Sequence, residues 1–284
     1  MNNAGKNMYE KLTIRDKFMF GKVTKNPIIA QKMADLLTPV EIGEVKGVER
    51  EKFLQHRSSS KYVKLDMYLE DENGRVVDTE MQNKSQNKVV QEELPLRVRY
   101  YQGMIDQEIL SSGTDYIFLK ETYIIFICTY DPFGKGKYVY HFHMACDEDE
   151  EIQLQDKMNW IFYNSTADLS EAPEGIREFL NYVQTETVED DFTSQLDKEI
   201  KQARLNEEWR SEYLKTYVND MDMRREGYVE GEKRGRAEGE KLGRAEGEKA
   251  THRFLINKWL QKGKTIAEIA EDLGKSEEYV ESLM

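Results

Sequence analysis

Two strand-like runs joined by a short turn, at residues 61–84, constrain the fold of this 284-residue chain more than any other stretch. The first run alternates apolar and polar residues, as a half-buried strand does, and its apolar positions are Val63, Leu65, Met67 and Leu69. Asn73 and Gly74 between the runs are a strong hairpin signal. Asp66 in the first run and Glu80 in the second therefore lie on strands that are predicted to pair with each other.

The length of the turn decides whether these two acids meet. A two-residue loop at Asn73 and Gly74 would put Asp66 and Glu80 on opposite faces of the hairpin, where one metal ion cannot join them. A three-residue loop that starts at Glu72, with Gly74 in the left-handed conformation, sets Asp66 directly across from Glu80. We predict the three-residue loop, because only this register lets the two carboxylates act together.

Paired carboxylates on neighbouring strands suit a divalent metal ion. Magnesium binds a few carboxylates and leaves its other positions to water and phosphate oxygens. Asp66 and Glu80 are therefore predicted to bind Mg²⁺, and Gln82, on the same face as Glu80, is predicted to orient the attacking water. The alternative is an acid pair on a solvated sheet face.

Six blocks support a family resemblance, and they are DKFMFGKV at 16–23, LDMYLED at 65–71, EMQ at 80–82, LPLRVRYYQGMID at 94–106, GTDY at 113–116 and YIIFICTYDPFG at 123–134. In order and spacing they resemble the recombination-promoting nuclease (Rpn), transposase-like branch of the PD-(D/E)XK nuclease superfamily. The resemblance implies an α/β fold, with a restriction-endonuclease-like mixed sheet flanked by helices. It also implies a magnesium-dependent DNA endonuclease with a role in recombination, mobile elements or defence against foreign DNA.

One position departs from the superfamily pattern, which usually has lysine two residues after the glutamate. Here that residue is Gln82, and Lys84 follows one pleat further on the same face. Lys84 either supplies the missing charge or is a solvated lysine at the strand end. Two functions stay open: an active DNA endonuclease, or a nuclease-fold binding and regulatory protein without catalysis that acts through its helical tail.

Three further residues are candidates for supporting roles. Asp16 matches the N-terminal acid of the family, and it either leans toward the metal or is a charge at a helix N-terminus. Arg97 and Tyr101 are four residues apart on a helix predicted over 88–111, so they adjoin on one face. The resemblance places Arg97 to bind a phosphate with Tyr101 beside it, whereas a surface ion pair for Arg97 and a core position for Tyr101 are the alternatives.

Composition bounds the remaining choices. The formal net charge of −13 argues against a protein that coats nucleic acid nonspecifically, although a locally basic cleft still suits a nuclease. Only Cys128 and Cys146 are present, which excludes a disulfide framework and indicates a reducing compartment. The longest apolar run, 123–128, is too short to span a bilayer, and the N-terminus lacks an apolar signal region. We expect a cytoplasmic protein with no membrane partner.

Two strands are predicted after the central helix, at 121–130 and 137–146. The second carries His141 and His143 on one face, a spacing that also occurs in metal sites. No third ligand is evident, so ordinary strand alternation is the better interpretation. With these strands, the nuclease-like domain is predicted to span residues 1–186.

The next segment, 187–250, is predicted to be a charged helical stalk. It contains three octads, GYVEGEKR, GRAEGEKL and GRAEGEKA, which put a glycine at every fourth residue from Gly227 to Gly247. Glycine weakens a helix unless close packing offsets the loss. The stalk is therefore either a self-associating helix that makes a homo-oligomer or a flexible tether.

Residues 251–284 are predicted to form a small cap that resembles a helix-turn-helix. Thr265 and Glu268 make a capping box, Gly274 ends the first helix and Ser276 caps the second. The second helix is acidic, and its acids are Glu277, Glu278 and Glu281. Because these charges repel a phosphate backbone, we expect this unit to contact protein rather than DNA.

Overall fold

The computed structural model describes residues 8–55, 61–83, 92–110, 112–149 and 151–284. Within these ranges a single mixed sheet has six strands in the order β1-β2-β3-β4-β6-β5. The strands are β1 (Val45–Leu54), β2 (Val63–Asp71), β3 (Val76–Gln82), β4 (Thr122–Cys128), β5 (Val139–Phe142) and β6 (Met158–Asn164). Neighbours from β1 to β3 are antiparallel, β3, β4 and β6 are parallel, and β5 is antiparallel to β6. The predicted mixed α/β sheet is confirmed.

Helices flank this sheet and continue beyond it. They are α1 (Lys17–Val23), α2 (Pro27–Leu37), α3 (Leu94–Ile109), α4 (Glu174–Thr185), α5 (Asp191–Leu205), α6 (Glu207–Leu260), α7 (Ile266–Leu273) and α8 (Glu277–Ser282), with a short 3₁₀ helix at Tyr116–Phe118. The break between α1 and α2 falls where proline predicts it: Asn26 caps α2 and Pro27 is its first residue. Residues 88–91 of the predicted central helix lie outside the described ranges.

Gly74 makes the three-residue turn that the register argument predicts. Its φ of +78° lies in the left-handed region, which glycine adopts without a Cβ clash. The backbone N–H of Asp71 donates to the carbonyl of Arg75 at 3.0 Å, which closes the turn one residue earlier than a two-residue loop would. The bulged hairpin is therefore confirmed.

The strand register follows from this turn. Met67 pairs with Thr79, which is the last β2–β3 pair before the strands separate. Asp66 and Glu80 are the next residues beyond this pair, where the backbone pairing has ended and the Asp66 N–H donates to the Glu80 side chain instead.

The core has two apolar clusters, one on each face of the sheet. The first packs strand residues against α1, α2, α4 and α5, and includes Met67, Leu69, Val77, Phe20, Met33, Phe179 and Leu196. The second packs strand residues against α3, and includes Leu65, Tyr68, Val76, Phe126, Val98 and Ile105. Burial of both faces explains why the central strand β4 carries an unbroken apolar run after its first residue, Thr122.

The alternation predicted over residues 63–69 is wrong at one point. Val63 and Leu65 pack in the second cluster, whereas Met67 and Leu69 pack in the first. The change falls at Asp66, where β2 and β3 stop pairing and side chains replace the backbone ladder. A simple two-residue period cannot anticipate such a local change.

The first of two compact units extends to Leu214, past the boundary predicted at residue 186. Helix α5 contributes Phe192, Leu196 and Ile200 to the first cluster. Beyond it, Glu212 forms an ion pair with the buried Lys22 of α1. The sequence shows a thin apolar stripe in this charge-rich segment, which includes Leu196 and Ile200, and the structure packs it on the first unit.

The second unit comprises residues 215–284. The glycine octads lie on exposed turns of α6, and the following helices pack around a small core that includes Ile256, Ile269 and Val280. Both predicted caps are present: Thr265 and Glu268 make reciprocal capping bonds, and Ser276 caps α8. No helix in the described part of the chain is both long and apolar enough to cross a bilayer.

Candidate active site

The predicted carboxylates meet where β2 and β3 separate, a point that we call the fork. The backbone N–H of Asp66 donates to Glu80 Oε1 at 2.7 Å, and the backbone N–H of Met81 donates to Asp66 Oδ2 at 3.2 Å. Each carboxylate thus takes the place of a missing carbonyl on the opposite strand. Both side chains are buried, Asp66 with 6% and Glu80 with 0% of its surface exposed. The structure brings together the two acids that the sequence singles out.

A third acid, Asp78, lies two residues before Glu80. It is fully buried, and neither of its carboxylate oxygens has a hydrogen-bond partner among the residues that the structure describes. Burial raises the pKa of Asp78 well above its usual value, and the nearby carboxylates of Glu80 and Asp66 raise it further. An acid without a partner at this depth marks a place where a positive charge would be strongly stabilised.

Asp66 is affected in the same direction. Burial, then the neighbouring Glu80 carboxylate, raise the pKa of Asp66 to about 7, although Lys17 counteracts them. A carboxyl group with a pKa near neutrality is typical of functional sites. The fork therefore holds more carboxyl groups than its protein surroundings can keep ionised.

Lys17 is the residue that sequence reasoning missed. Its Nζ lies 3.2 Å from Asp66 Oδ2 and 3.4 Å from Glu80 Oε2, and its side chain is half exposed. Burial lowers the pKa of Lys17, but the carboxylates of Glu80 and Asp66 more than offset this and the net shift is upward. No spacing rule marks this lysine; the only available signal was its place beside Asp16 at the start of α1.

Asp16 itself caps α1. Its Oδ1 accepts the backbone N–H groups of Phe18 at 2.9 Å and Met19 at 3.3 Å. Of the two interpretations offered by the sequence, the structure shows the helix-terminal charge. The cap fixes the first turn of α1, from which Lys17 extends to the fork.

Arg97 connects α3 to the end of β3. Its Nη1 donates to Gln82 Oε1 at 2.8 Å, and its Nη2 donates to the Tyr101 hydroxyl at 3.2 Å. The guanidinium also lies 5.7 Å from the centre of the Phe126 ring. Tyr101 packs at the edge of the second cluster and keeps its hydroxyl on Arg97, so it serves both the core and the site.

Other candidates are not part of this group. Lys84 lies outside the described residues. His141 and His143 belong to the edge strand β5 and the loop after it, and in the described part of the chain no three His, Cys, Asp or Glu side chains are arranged to hold a metal ion. The fork thus offers two carboxylate ligands with a third acid behind them, and such a sparse oxygen-donor set fits magnesium, which keeps several water ligands.

Comparison with known proteins defines the class. The family model of PD-(D/E)XK nuclease family transposases matches residues 16–223. Because the match covers more than half of the chain, including the fork, the protein belongs to this family. No curated protein and no solved structure matches the chain. The matched region ends within α6, before the first glycine of the octads.

Proposed function

We propose that this protein is a magnesium-dependent DNA endonuclease that hydrolyses phosphodiester bonds in the cytoplasm and acts in recombination or on mobile or foreign DNA. The observation that carries the proposal is the fork, where Asp66 and Glu80 share one buried position with a half-exposed cation between them. Family membership favours the same chemistry.

Asp66 and Glu80 are the proposed magnesium ligands. When bound there, the ion would lower the pKa of a water molecule and offset the charge of the phosphate. The fit is supported by the unpartnered oxygens of Asp78 and by the raised pKa values of Asp78 and Asp66, because a bound cation would favour the ionised form of both acids. Asp78 would not bind the ion directly; its carboxylate would stabilise the bound ion electrostatically.

Arg97 is proposed to bind the phosphate, and Gln82 is proposed to orient the attacking water. Arg97 is directed by the Gln82 carbonyl and the Tyr101 hydroxyl, and a guanidinium fixed in this way suits a phosphate oxygen. Gln82 Oε1 accepts one bond from Arg97 and keeps a second lone pair, with which it would accept a hydrogen bond from the attacking water.

Lys17 is proposed to supply the charge that most of the superfamily takes from a lysine two residues after the glutamate. The ammonium group reaches both carboxylates from α1, although the residue at the usual position is Gln82. The presence of this cation on α1, in place of the lysine missing at Gln82, favours an active enzyme over a nuclease fold that has lost its activity.

A plasmid-nicking assay tests this function. We expect the wild-type chain to nick supercoiled plasmid with Mg²⁺ and to stop when EDTA is added, and we expect Asp66→Ala to show no nicking. Glu70→Gln is the matched control, because Glu70 lies on the same strand but pairs with Lys120 at 2.6 Å, away from the fork. Equal nicking by wild type and Asp66→Ala would contradict the proposal.

A non-catalytic binding and regulatory role is the second candidate, and Gln82 is the observation that favours it. In that case the fork would bind DNA or stabilise the fold without hydrolysis, and the tail would recruit partners. Absence of nicking with Mg²⁺ or Mn²⁺, together with retained DNA binding, would select this candidate.

We also propose that α6 mediates homo-oligomer formation. Its six octad glycines are exposed, and a Cβ added at any of them would meet nothing within 4 Å. Six interior glycines cost a helix about 5–6 kcal/mol relative to alanine, and within the described part of the chain no packing at these positions offsets that loss. Close packing against a second α6 would offset it.

Replacing all six glycines by alanine in the full chain tests this assembly. If α6 is an interface, light scattering should show loss of the oligomer, because the added Cβ atoms keep the helices apart. If α6 is a tether, the assembly should be unchanged while circular dichroism reports a more stable helix.

A further inference from the structure

A groove of about 430 Å³ lies beside the fork and is not used by the mechanism above. It lies between the start of β2 and the exposed side of α3, and Arg97 lines it. Tyr101 lines it as well, so the groove and the candidate active site share Arg97 and Tyr101, which are bonded to each other and, through Arg97, to Gln82. A DNA strand bound in the groove would therefore lie next to the reacting carboxylates.

The charge of this groove is opposite to that of the whole chain. Among the described residues its lining includes three cations, Lys61, Lys64 and Arg97, and one acid, Glu93, whereas the full sequence has a net charge of −13. A local excess of cations in an acidic protein is the electrostatic footprint of a phosphate-bearing ligand.

Aromatic rings add a second property. Tyr62 lines the groove with 57% of its surface exposed and stacks on Phe53, with ring centres 4.8 Å apart and planes inclined by 27°. Phe53 is also 57% exposed. The Tyr100 hydroxyl donates to the carbonyl of Lys61 at 2.7 Å, which ties the chain before β2 to α3 and holds the groove wall.

We infer that this groove binds an unpaired DNA strand, with phosphates on the lysines and a base stacked on Tyr62. Base faces are available for stacking only where a strand is not in a duplex, and aromatic platforms with cations are the usual means of holding single strands. Intact duplex DNA would contact the cations but would offer no base to stack on the exposed surface of Tyr62. The inference deepens the proposed function by naming its substrate class as single-stranded or locally unpaired DNA.

Fluorescence anisotropy in EDTA measures this binding without cleavage. The probes are a short fluorescein-labelled single-stranded oligonucleotide and the same oligonucleotide annealed to its complement. We expect tighter binding of the single strand. Tyr62→Ala should weaken it by about fivefold or more, since stacking contributes about 1–3 kcal/mol per base, while Tyr62→Trp should retain it.

Tyr116→Ala is the matched control. Tyr116 is 83% exposed and lies near the start of β4, at the end of the sheet away from the fork, so its loss should leave binding unchanged. Salt titration adds a second readout: phosphate contacts by Lys61, Lys64 and Arg97 give a slope of about −2 for log K against log salt, and Lys61→Gln should reduce its magnitude by about 0.7.

Duplex binding equal to or tighter than single-strand binding would overturn the inference, as would an unchanged affinity in Tyr62→Ala. The two proposals fail separately. If the chain binds the single strand through Tyr62 but cleaves no DNA, the groove proposal stands and the nuclease proposal fails. If the chain nicks plasmid with Mg²⁺ but Tyr62→Ala leaves its affinity for the single strand unchanged, the nuclease proposal stands and the groove proposal fails.

Discussion

Two aspartates on β2, at opposite ends of the β2–β3 hairpin, have pKa values that are shifted in opposite directions. Asp71 at the turn is fully buried, yet its pKa is lowered: burial raises it, but hydrogen bonds from the backbone N–H groups of Arg75 and Gly43 and from Asn73 outweigh that effect. Asp66 at the fork is also buried, and its pKa is raised to about 7 by burial and by Glu80.

The difference lies in the number of donors rather than in depth. The Asp71 carboxylate accepts hydrogen bonds from the backbone N–H groups of Arg75 at 2.7 Å and Gly43 at 3.0 Å. Its charge therefore stabilises the turn. Asp66 receives one backbone N–H and shares Lys17 with a second carboxylate. A buried acid with enough donors stabilises the fold, whereas one with too few is available for chemistry.

The strongest test of this contrast is Glu80→Gln. The change is nearly isosteric and keeps an oxygen for the Asp66 N–H, but it removes an anionic ligand. We expect plasmid nicking to fall by about a thousandfold, because the metal contributes several kcal/mol to the transition state, with unchanged circular dichroism. Full activity in this variant would place the metal elsewhere.

Asn substitutions at the two aspartates should change stability in opposite directions. Asp71→Asn should lower the free energy of unfolding near neutral pH by about 2 kcal/mol, because charge-assisted bonds are lost. The lowered pKa means that this contribution is complete above the ordinary value of 3.8 and is lost as pH falls through the folded-state pKa.

For Asp66 the sign reverses in metal-free protein. Its raised pKa means that ionisation costs stability progressively between the ordinary 3.8 and about 7. Asp66→Asn should therefore stabilise the chain at alkaline pH, on the order of 2 kcal/mol, and not in acid. Urea unfolding in EDTA across this pH range measures both variants, and shifts of the same sign would refute the contrast.

A smaller effect is expected for Lys17→Met. Loss of one cation beside two carboxylates should reduce nicking by about tenfold. It should also destabilise the metal-free protein at neutral pH, since removal of the ammonium partner of a carboxylate costs about 1–2 kcal/mol. Lys25→Met is the control, because Lys25 is exposed between α1 and α2. An effect on stability without any effect on nicking would make Lys17 purely structural.

The smallest effect belongs to the turn. Gly74→Ala should lower stability by about 1–2 kcal/mol, since a Cβ is strained at positive φ, and a β-branched residue should cost more. Nicking per folded molecule should be unchanged, because the turn and the fork lie at opposite ends of the hairpin. Gly47→Ala on β1, where φ is not positive and a Cβ meets nothing within 4 Å, is the control in the same urea titration.

The sequence was informative where local chemistry decides the structure. The turn type at Gly74 followed from glycine and from the requirement that two acids meet, and the caps at Thr265 and Ser276 followed from side-chain bonding rules. The nuclease class followed from ordered sequence blocks and is confirmed by the family match.

Long-range contacts were not accessible in this way. Strand β6 pairs in parallel with β4 across an intervening hairpin-like segment, and nothing local to Trp160 or Ile161 announces that partner. Lys17 reaches acids that lie far along the chain, and the apolar stripe of α5, visible in the sequence, packs on the first cluster rather than in a separate stalk. These features depend on how distant elements meet, which composition and periodicity do not encode.

The crossed hydrogen bonds at the fork also provide two spectroscopic probes within the backbone. The amide proton of Asp66 points at Glu80, and that of Met81 points at Asp66. Their NMR resonances should therefore respond separately to the charge on each carboxylate. A titration followed at these two signals would assign proton loss, or capture of a cation, to one acid or the other without any substitution in the site.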